Sequence, residues 1–312
     1  MSSQLIKKPL PYIALLIAHL IWGANFVVAK VTLDEFPPMS LAFLRFSLAC
    51  LFLAPFVWVQ IKKVKIDKKD LPKLAACGLL MITLNIAFFF EGISRTSAID
   101  ASLLTLIIPM FSVLIGWIYL KEKIYLINLG GVFLGLIGAL IIVGLPQIIT
   151  GSYSSKTVIG NLLIIAASIV FVIGAVYSQK MLKKYSTLIV TAIAFLVGSV
   201  TFFAPAVREY LQNPDWTQFI TPVGILGLIY MTLLSSISAY FLFEWGLSKT
   251  SIVKADLFQY IEPFIAASLA VFLLGEKLSA SFLTGAVFIL AGVYLGTFAK
   301  EAHHRHHKSH RV

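Results

Sequence analysis

The stretch that decides the fold is GISRTSAIDASLLTLIIPMFSVLIGWIYLKEK, residues 92–123, because it recurs half a chain later as GLSKTSIVKADLFQYIEPFIAASLAVFLLGEK, residues 246–277. The two copies align without a gap at a constant offset of 154 residues and are identical at 11 of 32 positions. A proline lies in the middle of each copy, Pro109 in the first and Pro263 in the second, and a Glu-Lys pair ends both. This pattern indicates a tandem duplication.

The duplicated unit is strongly apolar, and so is the rest of the chain. Of the 312 residues, 59% are hydrophobic and 12% are charged, and the mean hydropathy is +0.92. A soluble domain of this length could not bury so much apolar surface, whereas a lipid bilayer accepts it. The net charge of +11 would suggest nucleic acid binding in a soluble protein, but here the basic residues lie between the apolar runs. We therefore predict a protein of the lipid bilayer with no nucleic acid partner.

Ten apolar runs are long enough to cross a bilayer core about 30 Å thick, which takes roughly 20 residues of α-helix. They are too long for the strands of a membrane barrel, which alternate over about ten residues. The runs lie near residues 11–30, 37–59, 72–93, 97–120, 124–144, 157–179, 187–207, 221–247, 251–274 and 278–299. The predicted fold class is an all-α polytopic membrane protein with ten transmembrane helices.

The lysines and arginines predict the orientation of these helices, because cytoplasmic loops carry an excess of both. If residues 1–10 are a cytoplasmic N-terminus, nineteen of them fall on the cytoplasmic side, five fall on the other side, and Arg45 lies inside a helix. No convincing signal cleavage site follows the first run. The sequence thus predicts a multi-pass protein of the cytoplasmic (inner) membrane with both termini cytoplasmic, ending in a disordered, basic, histidine-rich tail over residues 300–312.

Each copy of the duplicated unit holds five predicted helices. The first repeat covers residues 11–144, the second covers residues 157–299, and a linker over residues 145–156 joins them. Because five is odd, the second copy enters the membrane from the opposite side. We predict two inverted repeats, a common plan of secondary transporters, whose substrate site lies near the midplane where the halves meet.

A set of short motifs recurs at matching places in the two halves or marks the first two helices. Its members are Trp22, Gly23, Ala24, Asn25, Arg45, Phe46, Pro109, Pro263, Glu122, Glu276, Gly131, Gly135, Gly138, Gly285, Gly292 and Gly296. As a set they resemble the drug/metabolite transporter superfamily in its ten-helix form with two EamA-type domains, over residues 11–299. The resemblance implies a central cavity lined mainly by helices 1, 3, 4, 6, 8 and 9, with helices 5 and 10 as scaffold. Similar proteins export amino acids, other metabolites or toxic compounds, and some import.

The first helix carries a polar stripe. His19, Trp22 and Asn25 are three residues apart, so they drift only slowly around one face of an α-helix. Such a stripe faces protein or water, which leaves two interpretations: the wall of a substrate cavity, or hydrogen bonds that hold the bundle together. We include all three among the predicted substrate-binding residues, with Tyr177 of the sixth helix as a candidate of lower rank.

The ninth helix carries a second polar group, Gln259, Tyr260 and Glu262, about a dozen residues from its start, which is roughly 17 Å along a helix. All three are predicted to bind substrate. A carboxyl group at that depth is expensive unless it is paired, hydrated or protonated, and intramembrane ionisable residues are functional candidates by default. For Glu262, proton coupling and a static hydrogen bond to a neighbouring Tyr or Ser remain equal alternatives. Pro263 and Pro109 each remove a backbone donor and are predicted hinges.

Three further charged residues are candidates for coupling or gating. Arg45 lies roughly 12 Å from the outer end of the second helix, where it could neutralise a substrate carboxylate or Glu262. Snorkelling to the headgroups or a structural ion pair is nevertheless the favoured account of its place. Glu91 and Glu244 lie near opposite faces, at the ends of the third and eighth helices, and are either parts of gates or ordinary interfacial charges.

This pattern favours a secondary transporter of a small-molecule substrate. We predict an exporter of small organic metabolites such as amino acids that works by alternating access, as a monomer or homodimer; a multidrug or toxic-compound exporter of the same fold is the alternative. A channel would share the polar path. A membrane enzyme is disfavoured, because the chain has no HExxH, no GxSxG and no intramembrane aspartate pair. Neither a cofactor nor a metal site is expected, since Cys50 and Cys77 lack metal-ligand spacing.

Overall fold

The computed structural model of the chain describes residues 9–120 apart from 63 and 65, residues 126–143, residue 149, and residues 154–309 apart from 251. Within these residues the regular secondary structure is helical throughout. The first Glu-Lys pair, Glu122 and Lys123, and most of the predicted linker lie outside the described residues.

Seven of the helices are long and apolar enough to cross a membrane by length and composition, and shorter apolar helices cover Ala98–Ser112, Gly130–Val143 and Ala280–Gly292. The helices are α1 (Pro9–Thr32), α2 (Pro38–Ile61), α3 (Lys68–Ile93), α4 (Ala98–Leu104), α5 (Ile107–Leu120), α6 (Leu126–Val143), α7 (Ser155–Met181), α8 (Thr187–Gln212), α9 (Pro222–Lys249), α10 (Lys254–Leu274) and α11 (Ala280–Ser309). The seven long apolar helices are α1, α2, α3, α7, α8, α9 and α10. The predicted all-α class with several membrane-spanning helices is thus confirmed for the described residues, and the number of ten transmembrane helices stays a prediction.

Three of the long helices change their hydrogen-bonding pattern partway along. π-Helical turns occupy Leu79–Leu84 in α3, Tyr230–Ser238 in α9 and Ala270–Leu274 at the end of α10. A π-turn bonds each amide to the carbonyl five residues earlier, so neighbouring carbonyls lose their ordinary partner and become available to side chains. The turn in α9 supplies such a carbonyl to the cavity described below.

Irregular backbone also lies beside both prolines for which the sequence predicts hinges. Residues 105 and 106 separate α4 from α5, and Pro109 follows two residues into α5. Because proline has no N–H, the carbonyl of Thr105, four residues earlier, is left without its α-helical partner. In α10 a 3-10 turn at Leu257–Ile261 precedes Pro263, and the α-helix resumes at Glu262. Movement at these points remains a prediction.

Helices α6 and α11 pack closely through glycines. A Cβ atom on Gly292 would lie 2.5 Å from the carbonyl oxygen of Gly131, and one on Gly138 would lie 2.7 Å from the carbonyl oxygen of Gly285. Between these two contacts the residue numbers rise along α6 while they fall along α11, so the two helices run antiparallel. Only glycine permits this close approach of backbones.

Alanine substitutions should distinguish these packed glycines from an exposed one in the same region. Gly292→Ala places a methyl group where backbone atoms already lie, and overpacking of this kind costs about 1–3 kcal/mol. Gly130→Ala is the matched control, because nothing lies within 4 Å of its Cβ position and alanine is better than glycine in a helix by about 1 kcal/mol. We expect a lower thermal unfolding midpoint in detergent for Gly292→Ala and an unchanged or higher one for Gly130→Ala. Equal midpoints would contradict the packing role.

Two features mark the ends of the bundle. The carboxylate of Glu276 accepts hydrogen bonds from the backbone N–H groups of Ala98 at 2.9 Å and Ile99 at 3.0 Å. It thereby satisfies donors that have no partner within α4 at its start.

Helix α11 continues to Ser309, so it includes most of the tail for which the sequence predicts disorder. An existing helix extends readily, because each added residue gains one hydrogen bond.

Candidate functional site

A central cavity lies where α1, α2, α3, α5, α7, α9 and α10 meet. The space open to the centres of water molecules is about 90 Å³, enough for several waters at roughly 10–15 Å³ each. Its walls are formed by His19, Trp22, Asn25, Phe26, Arg45, Asn85, Ile86, Phe89, Ile108, Phe171, Ser235, Tyr240, Gln259 and Glu262. These residues come from the helices that the family resemblance implies, with α2 in addition.

The polar stripe of α1 faces this cavity. His19, Trp22 and Asn25 all line it. The Nδ1 atom of His19 lies 2.6 Å from Oε1 of Glu262, and both side chains are almost fully buried. This contact joins α1 to α10 across 243 residues of sequence. Two polar atoms of the stripe, Nε2 of His19 and Oδ1 of Asn25, have no hydrogen-bond partner among the described residues.

Trp22 stands in the middle of an aromatic wall. Its ring packs edge-on against Tyr240, with centroids 5.2 Å apart, and against Phe171 at 6.1 Å. Its Nε1 donates to the carbonyl oxygen of Ser235 at 3.1 Å. Ser235 belongs to the π-helical turn of α9, which explains why its carbonyl is available to a side chain. The wall is therefore apolar, rigid and held in a fixed orientation.

Arg45 is buried inside the protein, with 1% of its surface exposed. Its Nε donates to Oγ of Ser236 at 2.5 Å and its Nη2 donates to Oγ of Ser235 at 3.1 Å, whereas Nη1 has no partner among the described residues. The aromatic rings of Phe46 and Phe90 lie 5.1 Å and 6.0 Å from the guanidinium carbon, which adds weak cation–π stabilisation. The favoured sequence interpretation, snorkelling or an ion pair, is wrong: the side chain lines the cavity, and no ion pair among the described residues includes it.

The polar group of α10 meets the break between α4 and α5. Nε2 of Gln259 donates to the carbonyl oxygen of Thr105 at 3.3 Å, the same carbonyl that Pro109 leaves without an α-helical partner. Thr105 and Gln259 are 154 residues apart, which is the offset of the sequence repeat. The two residues therefore occupy equivalent positions in the two copies, and they touch each other beside the cavity.

The two glutamates predicted near the membrane faces lie away from the cavity. Glu91 forms an ion pair with Arg95, four residues later in the turn that follows α3. Glu244 is buried, and its carboxylate accepts a hydrogen bond from Oγ of Ser178 at 2.6 Å, which ties α9 to α7. Both side chains thus have partners outside the cavity walls, and a role in gating stays a prediction.

The remaining candidates also lie outside the cavity walls. Tyr177 is half-buried near the end of α7, with Nζ of Lys180 5.8 Å from its ring centroid. Tyr260 is half-buried and packs against the hydrophobic cluster that involves α4 and α5. Pro109 and Pro263 lie beside the irregular backbone described above and do not line the cavity. The structure therefore gathers His19, Trp22, Asn25, Arg45, Gln259 and Glu262 around one space.

Sequence reasoning did not single out two polar residues that the structure places near this space. Asn85 lines the cavity from α3, and its Nδ2 donates to the carbonyl oxygen of Ala167 at 3.0 Å. Asp256 is fully buried in α10 and accepts a hydrogen bond from Oγ of Ser112 on α5. Asn85 is an isolated polar residue in an apolar run, and Asp256 is a carboxylate three residues before Gln259 in the same predicted helix. Polar and ionisable residues inside spanning helices are functional candidates, which is the signal that could have identified both.

A model of the EamA-like transporter family matches residues 9–144 and, a second time, residues 158–298. Relatives of similar length have names that describe transport. An "uncharacterized transporter" of Archaeoglobus fulgidus is 30% identical over 92% of this chain and 96% of its own length. A "probable amino-acid metabolite efflux pump" of Salmonella typhimurium is 28% identical over 92% of this chain and 94% of its own length. A pump of the same name in Escherichia coli is 26% identical over 91% and 93%.

The fold has a counterpart among solved structures. A crystal structure covers 93% of this chain and 96% of its own chain, with a TM-score of 0.63 and 15% sequence identity. At that level of identity the likeness concerns the fold alone.

Proposed function

The chain belongs to the EamA-like transporter family and is a multi-pass membrane transporter, and from this premise we propose that it exports small organic metabolites of the amino acid class. We propose further that it is a secondary carrier that works by alternating access, with its substrate site in the central cavity. The proposed direction and substrate class draw on the relatives named as amino-acid metabolite efflux pumps.

The observation that carries the substrate class is the buried, incompletely satisfied Arg45. A cation removed from water is costly unless its hydrogen bonds are made and an opposite charge is near. Here two guanidinium nitrogens bond to serine hydroxyls, and Nη1 has no partner among the described residues. A bound carboxylate would supply both the missing hydrogen bond and the missing charge. Arg45 is therefore the proposed partner of the substrate carboxylate.

The other groups in the cavity suit the rest of an amino acid. Oδ1 of Asn25 is a buried acceptor without a donor among the described residues, and an ammonium group offers three donors. The aromatic wall around Trp22, together with Phe89 and Ile86, presents apolar surface for a side chain. Such a site holds the carboxylate and the ammonium group of a zwitterion and tolerates variation in its side chain.

Several features support the proposed architecture of ten transmembrane helices in two inverted five-helix repeats, residues 11–144 and 157–299. The family model matches twice, over nearly these intervals. Gly131 of α6 is equivalent to Gly285 of α11, and Gly138 of α6 is equivalent to Gly292 of α11, because each pair is 154 residues apart. The contact of Gly131 with Gly292 is therefore the symmetry equivalent of the contact of Gly285 with Gly138, and the two helices run antiparallel. The contact between Thr105 and Gln259 joins equivalent positions. All three are expected of a two-fold axis in the membrane plane.

This symmetry supports alternating access, because it supplies two similar end states that open to opposite sides. The irregular backbone beside Pro109 and Pro263 is the proposed pair of hinges. Both hinges adjoin the Thr105–Gln259 contact, so bending at either one would move a wall of the cavity. The proposed orientation, with both termini in the cytoplasm, rests on the distribution of lysine and arginine.

Counterflow in reconstituted vesicles tests this function. Vesicles with purified protein would be loaded with a mixture of unlabelled amino acids and diluted into single labelled ones, with protein-free vesicles as the control. A carrier should produce saturable uptake with transient accumulation of label above equilibrium for at least one amino acid. Uptake that never saturates and shows no counterflow would indicate a channel. Counterflow of planar aromatic cations without any amino acid would indicate a multidrug exporter instead.

A further inference from the structure

An apolar groove lies on the outer surface between α2 and α8, well away from the central cavity. Its volume is about 700 Å³, and it is lined by Pro55, Phe56, Val59, Gln60, Val64 and Leu188. Phe56 and Val59 are both more than half exposed. In a multi-pass membrane protein such exposed apolar side chains on a spanning helix are in contact with lipid tails. The groove is thus a surface on which an acyl chain can lie.

One end of the groove is closed by polar contacts. Nε2 of Gln60 donates to Oγ of Ser186 at 2.7 Å, which ties the end of α2 to the start of α8. The segment that follows α2 is held against the same region, because Asp67 N donates to the hydroxyl oxygen of Tyr185 at 3.2 Å. The groove therefore stops at the membrane boundary, where α2 ends and α8 begins.

That boundary is rich in positive charge. Six lysines and two aspartates lie between residues 62 and 73. Asp70 already pairs with Lys184 and Lys73, whereas Lys62, Lys68 and Lys69 are exposed and form no ion pair among the described residues. A cluster of lysines next to a spanning helix attracts anionic headgroups.

An exposed tryptophan on α2 precedes Val59 of the groove by one residue and contacts one of the lysines. Trp58 is 68% exposed on α2, and the Nζ atom of Lys62 lies 5.1 Å from its ring centroid. Tryptophan is enriched at the level of the headgroups, where its ring lies between tails and water. Trp58 and Lys62 thus mark the depth at which a phosphate group would lie if its acyl chain occupied the groove.

We propose that this groove and the lysines at its end form a binding site for an anionic phospholipid. The acyl chain lies between α2 and α8, and the headgroup phosphate binds at Lys62, Lys68 and Lys69. The commitment to an anionic lipid rests on charge complementarity, since a zwitterionic headgroup would leave the excess lysine charge unbalanced. This site is separate from the proposed transport site and does not depend on the substrate assigned there.

Quenching of Trp58 by brominated lipid tests the site. The protein would be reconstituted in phosphatidylcholine with increasing fractions of either brominated phosphatidylglycerol or brominated phosphatidylcholine, and the Trp58 signal would be taken as the difference between each protein and its Trp58→Phe counterpart. We expect phosphatidylglycerol to quench Trp58 at a several-fold lower mole fraction than phosphatidylcholine. The preference should weaken as salt is raised, because exposed charges are screened.

Two variants separate a built site from general attraction. Lys62→Gln/Lys68→Gln/Lys69→Gln should remove the preference, whereas Lys156→Gln/Arg208→Gln/Lys277→Gln, which changes three exposed cations elsewhere, should keep it. Val59→Phe narrows the groove with all lysines present and should reduce the preference. Equal quenching by both lipids in the wild-type protein, or full preference in the first variant or in Val59→Phe, would overturn the proposal. Unchanged thermal unfolding midpoints show that the variants are folded.

Discussion

Arg45→Met is expected to lower transport of an amino acid by about 30-fold or more at subsaturating concentration, because breaking a buried charge pair costs about 2–5 kcal/mol and each factor of ten corresponds to about 1.4 kcal/mol. The guanidinium group lines the cavity, and one of its nitrogens has no hydrogen-bond partner among the described residues. A substrate carboxylate bound there would lose its positive partner and its hydrogen bonds. The measurement is counterflow of the labelled amino acid in reconstituted vesicles.

The stability of the same variant should not fall with its transport, and this difference distinguishes loss of the substrate site from loss of the fold. Methionine fills a similar volume, and replacing a buried charge with a well-packed apolar residue is often neutral or stabilising. The hydroxyls of Ser235 and Ser236, which accept from Arg45 in the wild-type protein, can instead bond to the backbone of their own helix. We therefore expect a thermal unfolding midpoint equal to or above that of the wild-type protein.

Two further variants test whether Arg45 binds the substrate carboxylate. Arg45→Lys keeps the charge but loses the planar fork that binds a carboxylate at two points, so its transport should be intermediate. Arg208→Met removes an exposed arginine at the end of α8 and should transport like the wild-type protein. If Arg45→Met transports normally, the carboxylate does not bind there. The same conclusion would follow if a decarboxylated analogue competed as well as the amino acid with wild-type protein.

The sequence alone was sufficient to find residues that belong to a pattern. His19, Trp22 and Asn25 share a face because the helical period determines which residues lie on one side, and the structure brings all three to the cavity. Glu262 stands out because a carboxyl group in an apolar run needs a partner. Its partner, His19, is 243 residues away, and no local rule identifies it.

Isolated polar residues were harder to place. Arg45 and Asn85 each stand alone in an apolar run, so the sequence gives their depth in the membrane but no second residue that would define which face of the helix they occupy. The same depth suits an arginine that snorkels to the headgroups and one that faces the protein interior. Only the packing of α2 against α9 decides between them, through the serines that accept from Arg45.

Irregular backbone could be predicted only in part. Pro109 and Pro263 predict irregular backbone because proline lacks a backbone donor, and breaks in the α-helix do lie beside both. The π-turn of α9 has no such residue within Tyr230–Ser238. The carbonyl of Ser235 in this turn accepts from Trp22 of α1, a contact across 213 residues that no local pattern indicates. A sequence pattern with a helical period therefore predicted the helix and not the turn that shapes the cavity wall.

Glu262→Gln is expected to abolish transport driven by a pH gradient while leaving counterflow exchange nearly unchanged. Glu262 and His19 are buried together, with Oε1 and Nδ1 2.6 Å apart. Asp256, which accepts a hydrogen bond from Ser112 of α5, lies six residues earlier in α10. Arg45 of α2 lines the same cavity. An unpaired carboxylate buried to this degree is costly, so the pair is proposed to hold one proton that is exchanged with bulk water when the cavity opens.

Glutamine keeps the shape of the side chain and an acceptor for His19 but cannot release a proton. Exchange of substrate for substrate needs no net proton movement, so counterflow should persist. Glu244→Gln is the matched control, because Glu244 is equally buried and also has one hydrogen-bond partner, Ser178, but it does not line the cavity. Its pH-driven transport should remain. If Glu262→Gln retains the pH dependence of the wild-type protein, Glu262 is not the coupling site; if counterflow is lost as well, Glu262 binds the substrate directly, and its contact with His19 serves recognition rather than proton exchange.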